Sequence, residues 1–300
     1  MTDLQTLNTL ILTPNSMFEC TKVLLLAGNK TEYVIKKFVK GKKELLFVGT
    51  SHTKDPSNPI FNELNNQMKL FRPQMSLVEG HRNLKLYKEK LIHNQKKLGQ
   101  EGREDPVKIR ANIRRNGETG HFVFLLANSN YDFDTAEPTK DMQVELVNLG
   151  FTHEEIFVLM VLRTLLNFYR SPYPDYKEEV FRDKMTEPLD IMKQTYNWGG
   201  FDFSFDNFKK QFQIITGQEF IITNKQFNSR AMNYFRSVEF DQPPTRLQLI
   251  DYHTIRLRDI SVLSQIHRYI QEYDKVMINM GQAHLHTLTP ALEKLFKSIE

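Results

Sequence analysis

The segment ELLFVGTSH, from Glu44 to His52, predicts the strand around which the rest of the chain can be arranged. Its continuous apolar run is typical of a buried strand, and a glycine ends that run three residues before a histidine. The same order returns in KVMINMGQAHLH, where Gly281 precedes His284 by three residues. In open α/β sheets, functional groups collect just beyond the carboxyl ends of the strands. We therefore expect both histidines to lie at one edge of a sheet.

The residues around the first of these strands predict a hairpin and a crossover. Alternating residues at 33–39 and a turn at 40–43 lead into the strand as a hairpin. After the strand, apolar residues recur at helical spacing from Ile60 to Phe71, and the pair at 72–73, Arg-Pro, ends the helix. A second strand at 75–78 then follows. By the right-handed crossover rule, we expect the two strands to be parallel neighbours.

Carboxylates follow two of the predicted strands. Glu79 comes directly after the strand at 75–78, and Glu137 follows a further predicted strand at 131–135. A helix around 122–127, beginning near Gly117, is expected to pack on the sheet between them. Parallel strands would bring Glu79 to the same edge as His52.

The chain as a whole predicts an α/β fold with a central mixed sheet, built from two related strand–helix–strand halves and carrying a helical insertion. Residues 1–140 form the first half, 141–245 the insertion or cap, and 246–300 a long helix, the second histidine-bearing strand and a final helix from Pro290. We interpret the aromatic residues of the insertion as core, with a pocket for an apolar ligand as the alternative. The polar segment 81–116 is interpreted as solvated helix and loop, with a phosphate-binding face as the alternative.

Composition limits the classes of function. The 300 residues are 40% hydrophobic and 25% charged, which is ordinary for a globular protein. A net charge of +4 without a nucleic-acid motif does not favour nucleic acid as a partner. The single cysteine, Cys20, excludes an intrachain disulfide and fits a reducing compartment. We expect a cytoplasmic protein, since neither a signal peptide nor a membrane-spanning run is present.

Four residues at strand ends could carry the chemistry: His52, Glu79, Glu137 and His284. Imidazole and carboxylate ligands suit Zn, Mn, Fe or Co, so a divalent metal is one expectation. The same groups could act without metal, with histidine as a general base. A single histidine after a strand is more often a structural hydrogen-bonding group, but four compatible positions favour a shared site.

Three further residues are secondary candidates. Arg256 and Arg258 could bind a carboxylate or stabilise an oxyanion in a catalytic cleft, and a surface ion pair is the alternative role. His286 would face the same side as His284 if the extended backbone of the strand continued to that point.

The motifs come in the order seen in the TraB/Tiki superfamily, and the chain resembles that group from about residue 44 to 300. They are GTSH at 49–52, VEG around Glu79, GE at 117–118, EP at 137–138, Arg258-Asp259 and GQAH at 281–284. The superfamily includes GumN-like proteins, erythromycin esterases and ChaN-like haem-binding lipoproteins.

The resemblance implies an α/β fold with two related halves, and a central cleft lined by His52, Glu79 and His284. Tiki-like members resemble divalent-metal peptidases, the histidine of esterase-like members acts as a base without metal, and ChaN-like members bind haem. We therefore expect a hydrolase that activates water at His52, with Glu79 and His284 holding a metal or the substrate. Its substrate would be a peptide or small molecule with a peptide or ester bond. A non-catalytic protein that binds haem or a small molecule in the same cleft is the rival.

Overall fold

The structure is a computed structural model that describes residues 3–11, 33–79, 106–129, 131–136, 142–169, 177–221 and 245–298. Two compact units divide the chain. The first comprises Met1–Thr139 and Arg256–Glu300, and the second comprises Lys140–Ile255.

The first unit is built on a five-stranded mixed sheet, which confirms the predicted α/β class. Its strands are β1 (Tyr33–Lys40), β2 (Lys43–Thr50), β3 (Met75–Val78), β4 (Asp132–Thr135) and β5 (Lys275–Gly281). They lie in the order β1-β2-β5-β3-β4. β1 pairs with β2 antiparallel, whereas the other three pairings are parallel.

Helices occupy most of the remaining described chain. They are α1 (Leu4–Thr9), α2 (Ile60–Phe71), α3 (Pro106–Asn128), α4 (Met142–Asn148), α5 (His153–Tyr169), α6 (Glu178–Tyr196), α7 (Phe205–Thr216), α8 (Arg246–Glu272) and α9 (Gln282–Ser298). No helix in these described ranges combines the length and the apolarity needed to cross a membrane.

The predicted hairpin and crossover helix are confirmed. A two-residue turn joins Lys40 of β1 to Lys43 of β2, and its Gly41 has a φ of 57°, which glycine adopts without steric cost. α2 has the predicted bounds, and its buried residues Leu64 and Met68 face the sheet core. The helix ends where Arg72 takes a left-handed conformation before a proline.

The expectation that β2 and β3 are neighbours is wrong, because β5 lies between them. β5 contributes Val276 and Ile278 to one core and Met277 to the other, so both of its faces are buried. A strand that is apolar on both faces suits the middle of a parallel sheet that is covered on both sides. The two histidine-bearing strands are therefore parallel neighbours, with Thr50 of β2 opposite Gly281 of β5.

Cores cover both faces of the sheet in the first unit. One face packs against α8 and α9, where Phe47 and Ile278 belong to the same buried cluster as Ile266 and Leu292. The other face packs against α2 and α3 through a cluster that contains Phe122. Burying a large apolar side chain such as these stabilises the fold by about 1.5–3 kcal/mol.

Two helices begin earlier than predicted. α9 begins at Gln282 rather than Pro290, because packing of its apolar face tolerates one proline inside the helix. His286 therefore lies about 200° around the helix from His284, and the extended geometry that would align them is absent. α3 begins at Pro106 and bends at Gly117, where the sequence predicts only the start.

The second unit is helical where it is described. Its aromatic residues are largely core, as predicted for the insertion, with Phe157, Phe203, Phe208 and Phe212 buried. Several of them meet edge to face, including Phe157 with Phe203 at a centroid distance of 5.6 Å. The predicted insertion spans residues 141–245, and the second unit spans residues 140–255.

Candidate functional site

The first unit gathers His52, Glu79 and His284 at the carboxyl edge of its sheet. Glu79 directly follows β3, His52 lies two residues after β2, and His284 lies in the first turn of α9, which continues from β5. Because β2, β5 and β3 are consecutive parallel strands, all three residues leave the sheet at one edge.

Both imidazoles face the carboxylate of Glu79. Nε2 of His52 is 3.8 Å from one oxygen of Glu79, and Nε2 of His284 is 4.0 Å from the other. Both separations exceed a hydrogen bond, so neither imidazole is bonded directly to Glu79. The fourth predicted residue, Glu137, lies outside the described residues.

A buried carboxylate contacts His52 at Nδ1, the ring nitrogen that does not face Glu79. Nδ1 of His52 is 2.6 Å from Oε1 of Glu118, and the hydroxyl of Thr50 donates to the same oxygen at 3.2 Å. Glu118 is 3% exposed. With Glu118 ionised, the contact needs the proton on Nδ1, which directs the unprotonated Nε2 of a neutral imidazole towards Glu79.

A second buried carboxylate holds His284 in the same way. Nδ1 of His284 is 2.5 Å from Oδ1 of Asp259, and Thr287 donates its hydroxyl to Oδ2 at 2.8 Å. Asp259 is fully buried. The site therefore contains two histidine–carboxylate–threonine arrangements that meet at one glutamate.

Glu118 and Asp259 were not among the predicted site residues. Both belong to the short motifs that carry the family resemblance, GE at 117–118 and the Arg258-Asp259 pair, so those motifs were the available signal. The bend in α3 positions Glu118, since Gly117 has a φ of 65° and approaches Thr53 closely. A methyl group on Gly117 would be 3.1 Å from the carbonyl oxygen of Thr53.

Two further donors hold the carboxylate of Glu79. Nη2 of Arg258 donates to Oε1 at 2.8 Å, and the backbone N–H of Gly281 donates to Oε2 at 2.8 Å. Arg258 and Asp259 are consecutive residues of α8, so one turn of helix supplies a partner to Glu79 and a partner to His284.

Charge shifts the protonation equilibria of the site. Burial alone would raise the pKa of Glu79, but His284, Arg258 and His52 outweigh it and lower that pKa to about 2. The hydrogen bond that His52 donates to Glu118 is the main cause that raises the pKa of His52, and it outweighs the opposing effect of burial. Glu79 is therefore an anion at neutral pH.

Exposure distinguishes the two histidines. The side chain of His52 is 50% exposed, whereas those of Glu79 and His284 are 10% and 9% exposed. His52 also has a φ of 60°, an uncommon backbone conformation for a residue with a side chain. Strained residues of this kind concentrate at functional sites, and of the three residues His52 is the one that solvent reaches most.

The residues fit a divalent metal only in part. Imidazole nitrogens fixed by carboxylates, beside a glutamate, are a donor set that such metals use. However, no group of three or more His, Cys, Asp or Glu side chains in the described ranges is arranged to hold an ion. The guanidinium of Arg258 also places positive charge against Glu79. The metal therefore stays a prediction.

Comparison of the chain with known proteins gives no family assignment. No family model, no curated protein and no solved structure matches it. The resemblance to the TraB/Tiki superfamily accordingly stays a prediction that depends on short motifs.

Proposed function

We propose that this chain is a hydrolase in which His52 activates water for attack on an ester or peptide bond. The observation that supports it most is the half-exposed imidazole of His52, fixed at Nδ1 by the buried carboxylate of Glu118. An oriented histidine backed by a carboxylate is the usual general base of hydrolytic enzymes.

In the proposed reaction, Nε2 of neutral His52 takes a proton from water as the water oxygen attacks the carbonyl carbon of the substrate. Glu118 and Glu79 stabilise the imidazolium that forms. The C–O or C–N bond then breaks, the leaving group takes the proton from His52, and a carboxylic acid is released as the carboxylate. A positioned general base of this kind contributes roughly 10²–10⁴-fold to the rate.

Arg258 supplies positive charge beside the reacting centre. Its guanidinium is tied to Glu79, which fixes its position before a substrate arrives. Preorganised charge of this kind stabilises the oxyanion of the tetrahedral intermediate. The buried His284 and Asp259 maintain the arrangement around Glu79, and we assign them a positioning role.

A panel of activated esters and short peptides tests the proposal. We expect hydrolysis by the wild-type protein and a loss of at least about 100-fold in His52→Ala. His267→Ala is the matched control, because His267 lies on α8 eight residues beyond Asp259, about 12 Å along the helix axis. Equal hydrolysis by wild type and His52→Ala, or none by either, would contradict the proposal.

A metal-assisted hydrolase is the second candidate. It is favoured by the two imidazoles that are each fixed at Nδ1 by a carboxylate and directed at one glutamate. His52, Glu79 and His284 would hold Zn, Mn, Fe or Co, with Glu137 as a further predicted ligand. The ion would polarise a carbonyl group and increase the acidity of water.

Elemental analysis distinguishes the two candidates. Near-stoichiometric metal in the wild type, lost in both His52→Ala and His284→Ala, supports the metal-assisted reaction. Hydrolysis that persists in chelator-treated, metal-free protein supports the first proposal. A Soret absorbance band after addition of haem, without hydrolysis of the panel, would favour the haem-binding rival.

A further inference from the structure

Four nitrogen groups from four separate positions of the chain surround the carboxylate of Glu79. Each oxygen has one direct donor at 2.8 Å, which is Arg258 for Oε1 and the N–H of Gly281 for Oε2. Each oxygen also faces one imidazole, His284 at 4.0 Å and His52 at 3.8 Å. The arrangement is nearly closed to solvent, since the Glu79 side chain is 10% exposed.

We propose that these groups form a carboxylate-binding hole whose resident ligand is the Glu79 side chain, and that acetate or formate from solution occupies it when that side chain is shortened. Arg258 lies on α8, Gly281 at the end of β5, His284 on α9 and His52 in the segment after β2, so four separate parts of the chain position these groups. The proposal does not depend on hydrolysis.

The hydrogen-bond pattern selects a carboxylate over a neutral group. Arg258 and the N–H of Gly281 both donate and lie on different oxygens, so both ligand atoms must accept. A carboxamide offers one acceptor oxygen and one NH2 group, so its NH2 group would face either Arg258 or the Gly281 N–H, which are themselves donors. An anion also satisfies the positive charge of Arg258, which would be costly to leave unpaired in this buried place.

The carboxylate of Glu79 fills the hole in the wild-type protein, so the space that its removal leaves sets the size of the ligand. Glu79→Ala removes a CH2–COO⁻ group, and acetate has the same carbon and oxygen atoms. Formate lacks only the methyl carbon. The removed volume and the donor pattern therefore both suit small monocarboxylates.

The test is thermal unfolding of Glu79→Ala in sodium acetate or formate against sodium chloride at equal ionic strength. We expect acetate at several times its Kd to raise the Tm of the variant by about 2–4 °C. The wild type should show no rise, because its hole is filled. Glu79→Gln and the double variant Glu79→Ala/Arg258→Ala are matched controls that should not respond.

Two results would overturn the proposal. One is a folded Glu79→Ala variant whose Tm is the same in acetate and chloride. The other is an equal rise in the wild type or in the double variant, which would mark a general salt effect. If Glu79→Ala does not fold in chloride, Glu79→Gln decides the matter, since a wild-type Tm in that variant would contradict a hole that requires two acceptors.

This readout is separate from the proposed function. The Tm is measured without substrate, so an inactive wild-type protein can still show the acetate effect. Conversely, a hydrolase without acetate rescue would retain the proposed function and lose only the carboxylate hole.

Discussion

Gly281 at the end of β5 lies directly against the imidazole of His52, which follows β2. A methyl group built on Gly281 would be 2.8 Å from Nε2 of His52. The converse also holds, because a methyl group on Gly49 of β2 would be 2.9 Å from the Cα of Gln282. Each glycine of the repeated motif thus makes room for the chain that follows the neighbouring strand.

Gly281→Ala is therefore expected to displace the His52 ring from Glu79. A contact below 3.0 Å forces a shift, and the atom that must move is the far end of the half-exposed His52 side chain, so we expect only a small loss of stability. We expect hydrolysis to fall at least about 10-fold, since small misplacements of catalytic groups reduce rates strongly. Steady-state kinetics and urea unfolding measure the two effects.

Gly199→Ala is the control for that substitution. No atom of the described residues lies within 4 Å of a methyl group built at Gly199. Its activity and stability should match the wild type, and a fully active Gly281→Ala would contradict the assigned contact with His52.

Glu118→Gln should lower the pKa of His52. The hydrogen bond that His52 donates to Glu118 is the largest cause that raises this pKa, and burial acts in the opposite direction. Chemical shifts of the His52 ring, followed by NMR against pH, measure the change. If neutral His52 is the base, the acidic limb of the pH–rate profile should move to lower pH with it. An unchanged His52 titration would show that Glu118 does not control this group.

Glu79 should make stability depend on pH in the acid range. Its pKa is about 2 in the folded protein against an ordinary value of 4.5. The contribution is complete above pH 4.5 and is lost as the pH falls towards 2, and it is on the order of 3 kcal/mol. The stability difference between wild type and Glu79→Gln should therefore shrink over that range in denaturant titrations. A constant difference would contradict the assignment.

His121 should make stability depend on pH in a separate range. It is 2% exposed and lies edge-on to Phe61 at a centroid distance of 5.3 Å. Burial lowers the pKa of His121 to about 4, with the backbone of Phe61 acting in the opposite direction. The unfolded chain takes up a proton below about pH 6.5, so stability should fall as pH decreases from 6.5 to 4.

His121→Phe tests this effect, because phenylalanine keeps the aromatic contact and cannot be protonated. We expect the variant to lose the part of the pH dependence that lies between 6.5 and 4. Denaturant unfolding at several pH values measures it. An identical slope in both proteins would place the titrating group elsewhere.

Local patterns predicted the elements that carry their own end signals. The hairpin, α2 and β3 were found from periodicity, a Lys-Gly-Lys turn and a proline at 73. The position of β5 was not predictable in this way, because an apolar strand fits several places in a parallel sheet. Strand order is decided by packing between residues that are distant in sequence.

The site was also predictable only in part. His52, Glu79 and His284 were found because residues that follow parallel strands leave the sheet at a common edge. Glu118 and Asp259 lie on helices, where the direction of a side chain depends on how the helix packs. Apart from the short motifs at 117–118 and 258–259, their carboxylates are distinguished from surface carboxylates by burial, which is a property of the folded protein.

β5 occupies the centre of the sheet although it begins only at Lys275. β1 to β4 are synthesised before β5, and in the folded sheet β5 lies between β2 and β3. The native strand order is therefore incomplete until β5 has been synthesised. A chain ending before residue 275 would therefore keep His52 and Glu79 but lack the Gly281 N–H and His284, together with two of the four strand pairings of the sheet.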